Sequence, residues 1–492
     1  MKKSLFLFAV LCSIICHSQS FTAQVLDSKN NPIPFATVQT GINSGVITNE
    51  EGYFTIFLED VTQNELTFSC LGFSKRTVPI DTIKKANNIV VLNEYVDQLD
   101  QVYLSGTQPN ADSIIARVNR SLSKNYNHEN IKYNLFFRNT SYVDFGDLEF
   151  KLTKATGFKK RQLTNVNKSF DSLASAIADS KTVHFKDYLA DLYLLNKENS
   201  KLDVIKATSM IDQKKNVSVD QIQEKAQGIF LKYLDTTKTY KVKTGILKVE
   251  DSLSLSDTNN DEKPKNEYTT ENLRNETHEL LHTSQVYDNT TLQSILDKNL
   301  YEYKFVDVIF HNDELIYIIN FKPRRAKAKF AGRLYIADDS YAVVKADYAF
   351  ANGKRGSKLN LKLILGIKYV ENVKNGTIIF KKNSEGKYQP QYVREEYGNY
   401  FYVNRPLKFI ENGPKKNKVG FNFLIEGDMR EKNEILFISE SEITTSQFEG
   451  FKENEGTPYL SLDRYDPSVW QSHQALEPLE EMKSFKVGNN KD

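Results

Sequence analysis

The sequence predicts a β-rich α+β chain with an N-terminal β-sandwich, a helical middle segment and a C-terminal curved antiparallel sheet. Three observations carry this expectation. Tyr (26) and Phe (30) are abundant among the 492 residues, while Met (4) and Trp (1) are scarce, and aromatic enrichment favours strands. Short apolar runs bounded by Gly, Asn, Asp and Pro recur between Phe21 and Leu104 and again after Thr283, the pattern of strands joined by turns. Between these blocks, apolar residues fall at helical spacing, as in Ile114, Ile115, Val118 and Leu122,. The length is that of two to four domains, at roughly 100–200 residues each.

The N-terminus reads as an export signal over residues 1–18. Lys2 and Lys3 precede an apolar stretch from Leu5 to Ile15, and small residues follow at Ser18 and Ser20,. That stretch is shorter than the roughly 20 residues of a spanning helix, and no later segment is apolar enough to span as one. Cleavage is expected near Ser18. Without Lys2 and Lys3, Lys+Arg falls from 65 to 63, equal to the 63 Asp+Glu. A neutral chain offers nothing that points to a nucleic-acid partner. Cys12 and Cys16 follow Leu11 and Ile15 rather than a small residue, which argues against lipidation. Cys70 then remains alone within LTFSCLGF and reads as a small buried core residue.

Residues 19–104 form the first domain. FTAQVLD, ATVQT, GVITN, YFTIFL, LTFSCLGF, KRTVPI and NIVVLN are short strands separated by SKNNP, GINSG and the turn at Glu50–Gly52, the layout of a small antiparallel sandwich. The turn Thr48–Gly52 is expected to be tight, with solvated carboxylates. In order, PIPFATV, GVITNEEGYFTI, LTFSCLGF and VVLN resemble the carboxypeptidase regulatory-like domain, a transthyretin/prealbumin-like sandwich. This module precedes many surface proteins of Bacteroidetes type. The resemblance implies no peptidase activity, since in carboxypeptidases the sandwich accompanies the catalytic zinc domain.

Residues 108–249 read as a mixed helix and strand region. ADSIIARVNRSLSK is helical, with Asp112 as its cap, and IKYNLFFRNTSYVDF alternates as a strand,. Residues 181–207 and 219–233 are expected to be mostly helical. This order also resembles an uncharacterised Bacteroidetes envelope family, in many members of which a barrel follows. Residues 250–276 are polar and expected to form a flexible linker. Its Asp257, Asn259 and Asp261 start a calcium-loop pattern, but Glu262 and Tyr268 stand where Gly and Glu are needed,.

His278-Glu279-Leu280-Leu281-His282 spells H-E-x-x-H. On a helix both imidazoles would share one face, with Glu279 placed to activate water. Against this, Glu276 is charged where zincins carry an uncharged residue, and Gln285 replaces the Gly of the extended pattern. Glu302, the remaining third ligand, lies within a strand-like run. The expectation is therefore no catalytic residue, metal or cofactor, with a zinc site at His278, Glu279 and His282 as the alternative.

Residues 283–436 carry the largest strand-rich block, with turns expected at Asn312-Asp313, Asp338-Asp339-Ser340 and Asn375-Gly376,. In KLNLKLILGIKYV, Leu359, Leu361, Leu363, Leu365, Ile367 and Tyr369 alternate on one face, which such a sheet would bury. KFAGRLYIADDSYAVVKADYAF is similar to the hairpin of lipoprotein-carrier-like half-barrels, implying a concave face able to hold an acyl chain. Lys322, Arg324, Arg325, Lys327 and Lys329 would either meet lipid phosphates or protect a solvated edge. An integral barrel is not expected, because residues 437–492 form a polar tail in which Trp470 would anchor the segment to the body.

The reading that follows is a non-enzymatic exported protein, periplasmic or associated with the outer membrane. It would bind a protein, lipid or glycan partner, with no nucleic acid and no transmembrane helix. The alternatives are a zinc peptidase and an acyl-chain carrier.

Overall fold

The computed structural model describes residues 20–41, 45–58, 61, 64–95, 109–127, 129–178, 182–211, 234–235, 237–245, 247–254, 269–287, 289–311, 314–383, 385–471 and 473–486. The export signal at 1–18, the helical expectation at 219–233, the Asp257–Asp261 pattern and the Asn312-Asp313 turn lie outside these residues.

The sandwich is built from β1 (Ser20–Asp27), β2 (Thr37–Gln39), β3 (Gly45–Ile47), β4 (Tyr53–Phe57), β5 (Glu65–Ser69), β6 (Arg76–Pro79), α1 (Ile80–Lys85) and β7 (Ile89–Leu92). Its two sheets run β4-β1-β7 and β3-β2-β5-β6. Alternation puts Phe21, Ala23 and Val25 inward, against Phe54, Leu66, Phe68 and Leu92,. Cys70 is a free, partly buried thiol at the edge of this core, and burial pushes its pKa up to about 11.

Then come α2 (Ala111–Asn125), β8 (Ile131–Ala155), α3 (Lys160–Ala178), β9 (Thr182–Leu194), β10 (Ser200–Ile211), β11 (Thr239–Thr244) and β12 (Leu247–Ser254). They are followed by α4 (Thr270–Ser284), α5 (Thr291–Ile295), β13 (Tyr301–His311), β14 (Glu314–Pro323), β15 (Phe330–Ala337), β16 (Val343–Phe350) and β17 (Lys358–Leu361). The chain finishes with α6 (Lys362–Leu365), β18 (Ile367–Lys382), β19 (Tyr388–Glu411), β20 (Lys418–Glu442), α7 (Thr445–Gly450), β21 (Leu460–Ser461) and α8 (Glu480–Lys483).

The strands from β8 onward form a single sheet, with the path β13-β14-β15-β16-β18-β19-β20-β8-β9-β10-β21, to which β11, β12 and β17 attach at the side. The ends of this path do not meet, so the sheet is curved and open. Segments 108–249 and 283–436 thus share one sheet, joined along β8 and β20. One face is covered by α2, α4 and α5. Val118, Leu273, Leu292 and Ile295 are fully buried there against Tyr133, Leu135, Leu334 and Ile336. The opposite face carries the sandwich and the C-terminal tail, through Ile47, Phe35, Phe136, Tyr392, Leu436, Leu476 and Trp470. Trp470 packs edge-on to Phe136 at 5.0 Å, which holds the tail to the body as its sequence implied. The long strands project past this centre, where α3 seals their distal half through Phe170, Ala174 and Ile177 against Phe150, Leu152 and Phe421.

Several local expectations need correction. Residues 182–207 are strands rather than helices: Tyr188, Ala190 and Leu192 face the helices while Leu189 faces the tail. Burial on both faces erases the period-2 signal. The polar stretch 250–276 is ordered at both ends, by β12 and by α4, which starts at Thr270 with Thr269 accepting from Asn272 N. Asn110, not Asp112, caps α2, accepting from Ser113 N at 2.8 Å. Asn375-Gly376 lies inside β18 and is no turn. A Cβ on Gly376 would collide with the ring of Tyr348, so glycine serves here for close approach. The run KLNLKLILGIKYV is not one buried strand but a hairpin turned at α6, with Leu359, Leu363 and Ile364 exposed.

Candidate functional site

Register, rather than any linear motif, assembles the main polar feature of the large sheet. On the face away from the helices, Lys304 pairs with Asn320, Asn320 with Arg333, Arg333 with Asp347 and Asp347 with Thr377. The same row continues through Arg394, Glu434, Arg138 and Asp187. Nine strands thus contribute one polar residue each to a ladder that crosses the sheet.

The two halves of the ladder differ in environment. From Arg394 to Asp187 it lies beneath the sandwich and the tail. Arg138 donates to Asp187 through Nε at 2.9 Å and Nη2 at 2.8 Å, and its Nη1 reaches Glu477 O at 3.3 Å. Tyr392 donates to Glu434 at 2.7 Å. Burial raises Glu434 most, yet Lys432, Arg138, the Tyr392 hydroxyl and Arg394 together hold its carboxyl below the usual value. Asp187 is shifted upward, because burial outweighs Arg138. Glu50 reaches in from the sandwich turn. Its Oε1 lies 2.8 Å from Arg394 Nε, an ion pair without hydrogen-bond alignment, and its Oε2 is 3.5 Å from Lys432. Asn49 donates to Pro478 O at 3.1 Å, and Glu51 accepts from Glu480 N at 3.1 Å. The Thr48–Gly52 turn is therefore a docking element; its carboxylates are not simply solvated.

From Lys304 to Asp347 the ladder is open, and with the buried Thr377 at its inner end it floors a groove of about 930 Å³, flanked by Glu302, Lys322 and Tyr335. Asp347 accepts from Thr377 at 2.9 Å and pairs with Lys345 at 3.2 Å. Arg333 donates to Asn320 at 3.3 Å, and Glu302 pairs with Lys322 at 2.6 Å. Lys304 and Arg333 face no carboxylate within ion-pair distance among the described residues. Strand alternation alone could assign Lys304 and Arg333 to the non-core face. Their alignment with Asn320, Asp347 and Thr377 depends on register and had no sequence signal.

His278, Glu279 and His282 lie on α4, as the spacing required. His278 Nε2 is 3.1 Å from Lys197 O, and the His282 ring packs edge-on to Tyr287 at 5.5 Å. Burial, then His278, pushes the His282 pKa down. Glu276 is bound to Lys186 at 2.6 Å, and Glu302 to Lys322. Among the described residues, no group of three His, Cys, Asp or Glu side chains is placed to hold a metal ion. The basic residues Lys322 to Lys329 surround the β14–β15 connection, and no described helix is long and apolar enough to cross a membrane.

No curated protein matches this chain. Among solved structures it is similar to a putative outer membrane lipoprotein-sorting protein domain from Vibrio parahaemolyticus, at 8% identity and a TM-score of 0.21, over 69% of this chain and 97% of that one. It is also similar to a DUF1329 family protein from Desulfovibrio piger, at 9% identity and a TM-score of 0.19, over 66% of this chain and 91% of that one. Residues 21–104, the range in which the sandwich strands lie, match the CarboxypepD_reg-like domain family, and the sandwich is a module of that family.

Proposed function

We propose that this chain is a non-enzymatic binding protein of the cell envelope, and that the open half of the polar ladder is where its partner lies. The observation that carries this reading is the asymmetry of the ladder. One half is sealed by the chain's own sandwich and tail, and the other half presents Lys304, Asn320, Arg333, Asp347 and Thr377 in a groove of about 930 Å³. Five neighbouring strands make that floor about 19 Å wide, at roughly 4.8 Å per strand. Such a floor offers donors and acceptors at regular intervals to an extended polar segment, a glycan or a peptide. An acyl-chain carrier has less support, because the helix-covered face is filled by its own side chains, Leu334 and Ile336 being fully buried. A zinc peptidase lacks a third ligand near His278 and His282 among the described residues.

The test is photo-crosslinking in the producing cell, with a photoreactive residue at Asn320 or Arg333 and, as control, at Lys168 on α3. One discrete adduct from both groove positions and none from the control supports the reading, and mass spectrometry identifies the partner. No groove adduct, or equal adducts from all three, overturns it.

A further inference from the structure

The hairpin around α6 is the feature that neither the sandwich nor the groove uses. Leu363 is 101% exposed and Ile364 81% exposed, the two most exposed large apolar side chains among the described residues. Their exposure is built into the turn. Gly366, at φ 64°, donates to Lys362 O at 3.1 Å, and its own carbonyl accepts from Asn404 N at 2.7 Å. Arg405 Nη1 donates to Leu365 O at 2.6 Å. The carbonyls of Leu365 and Gly366 are thus held from beneath, while Leu363 and Ile364 stand in solvent.

The segment that forms the tip is itself basic, and the adjoining carboxylates Glu371 and Glu426 are engaged by Ser357 N at 2.8 Å and by the Tyr400 hydroxyl at 2.6 Å. From Ala351 to Val370 there are five cations, Lys354, Arg355, Lys358, Lys362 and Lys368, and no Asp or Glu. Lys354 Nζ donates to Ala326 O at 2.9 Å and Ala351 N to Lys329 O at 2.8 Å. These bonds bring the basic β14–β15 connection alongside. Below the tip, Lys362 and Lys368 lie over the rings of Tyr402 and Tyr400, at 3.8 and 4.6 Å. A second apolar edge stands at the same end. Leu247 and Val249 are exposed, and the neighbouring Thr244 pairs with Leu407, close along β19 to the Asn404 that holds Gly366.

We propose that the tip docks on a bilayer carrying anionic phospholipid, with Leu363 and Ile364 entering the acyl boundary. Lys358, Lys362 and Lys368 lie at the level of the phosphates, so that apolar groups meet the acyl boundary and cations the anionic headgroups. A protein partner fits less well. A stable protein interface buries more than about 1,000 Å², whereas the most exposed apolar groups of the tip are two adjacent side chains, Leu363 and Ile364. The tip is separate from the groove, so its fate and that of the groove reading are independent.

The experiment is vesicle flotation of the chain from Gln19 onward, which keeps every described residue. The vesicles are phosphatidylethanolamine with phosphatidylglycerol, or phosphatidylcholine alone. The parent chain binds the anionic vesicles and loses binding in high salt. Leu363→Asp with Ile364→Asp lowers the bound fraction at least ~10-fold, with an unchanged melting temperature because both side chains are already in solvent. Lys362→Gln lowers it by about 5-fold. Leu363→Trp gives emission that shifts to the blue on the vesicles and is quenched by brominated acyl chains; the buried Trp470 is not quenched. The proposal is overturned if the parent ignores anionic vesicles or if the double Asp variant binds as well as the parent. It is equally overturned if the double variant instead abolishes self-association of the parent, which would make the tip a contact between copies.

Discussion

Arg138 on β8 and Asp187 on β9 are cross-strand partners joined by two hydrogen bonds, at 2.9 and 2.8 Å, with both side chains almost wholly removed from water. Removing one partner strands the other charge in a buried site. Arg138→Ala is therefore expected to cost about 3–5 kcal/mol. Replacing the pair together by apolar residues of similar volume, Arg138→Met with Asp187→Leu, restores much of that loss. Urea denaturation of the two singles and the double measures the coupling. Additive losses would show that the pair does not act as a unit.

Gly376 and Tyr348 give a sharper test of packing. A methyl group at Gly376 collides with the Tyr348 ring, which is itself buried and donates to Glu395 at 2.6 Å. The ring cannot step aside without breaking that bond. Gly376→Ala is expected to lose about 1–3 kcal/mol, and adding Tyr348→Leu is expected to recover part of it. If Gly376→Ala melts with the parent, the Tyr348 ring yields without loss and the close approach of β18 to β16 does not limit stability.

These two pairs mark how far the sequence could be read. Local chemistry was legible: the sandwich followed from its turns and alternation, and α2 from the spacing of Ile114, Ile115 and Val118. Pairing between distant strands was not. Arg138 and Asp187 are 49 residues apart in the chain, and only register makes them neighbours. Nor could the doubly covered β9 be told from a helix, because both of its faces carry apolar residues. Leu363 misled for a related reason. Its alternation with Leu361 and Leu365 looked like a core face, but α6 turns the chain there, and no described residue buries Leu363 or Ile364.

Glu50 is expected to fix the sandwich on the large sheet, because from the sandwich turn it pairs with both Arg394 and Lys432. Its side chain is 34% exposed, so the loss for Glu50→Ala is moderate, about 1–3 kcal/mol. Limited proteolysis locates the effect. Cleavage within the sandwich, residues 20–95, should accelerate in Glu50→Ala, while the core of the large sheet stays protected. Uniform acceleration throughout the chain would mean that Glu50 supports global stability instead.

Metal content decides the H-E-x-x-H alternative. His278 meets a backbone carbonyl and His282 an aromatic ring, so the purified chain is expected to carry well under one zinc per molecule. His278→Ala should leave both metal content and melting temperature unchanged. About one zinc per chain, lost in His278→Ala, would make α4 a metal-binding helix and replace the non-enzymatic reading.

Acid sensitivity follows from two histidines. Burial holds His184 and His311 at a pKa of about 4, with Lys186 adding to the shift for the first and Lys75 for the second. Both are therefore neutral in the folded chain, while in the unfolded chain they take up a proton below about pH 6.5. A depressed folded pKa on a base means that the unfolded state binds more protons in this window, so stability falls as pH drops from about 6.5 to about 4. Glu434, also held below its usual value, loses its contribution in the same direction at the acid end, whereas the raised Asp187 opposes it. The melting temperature should decline across this range. His311→Gln keeps a polar group beside Cys70 without a titrating proton, so it should flatten the decline. A slope identical to the parent's would assign the acid sensitivity to groups other than His311.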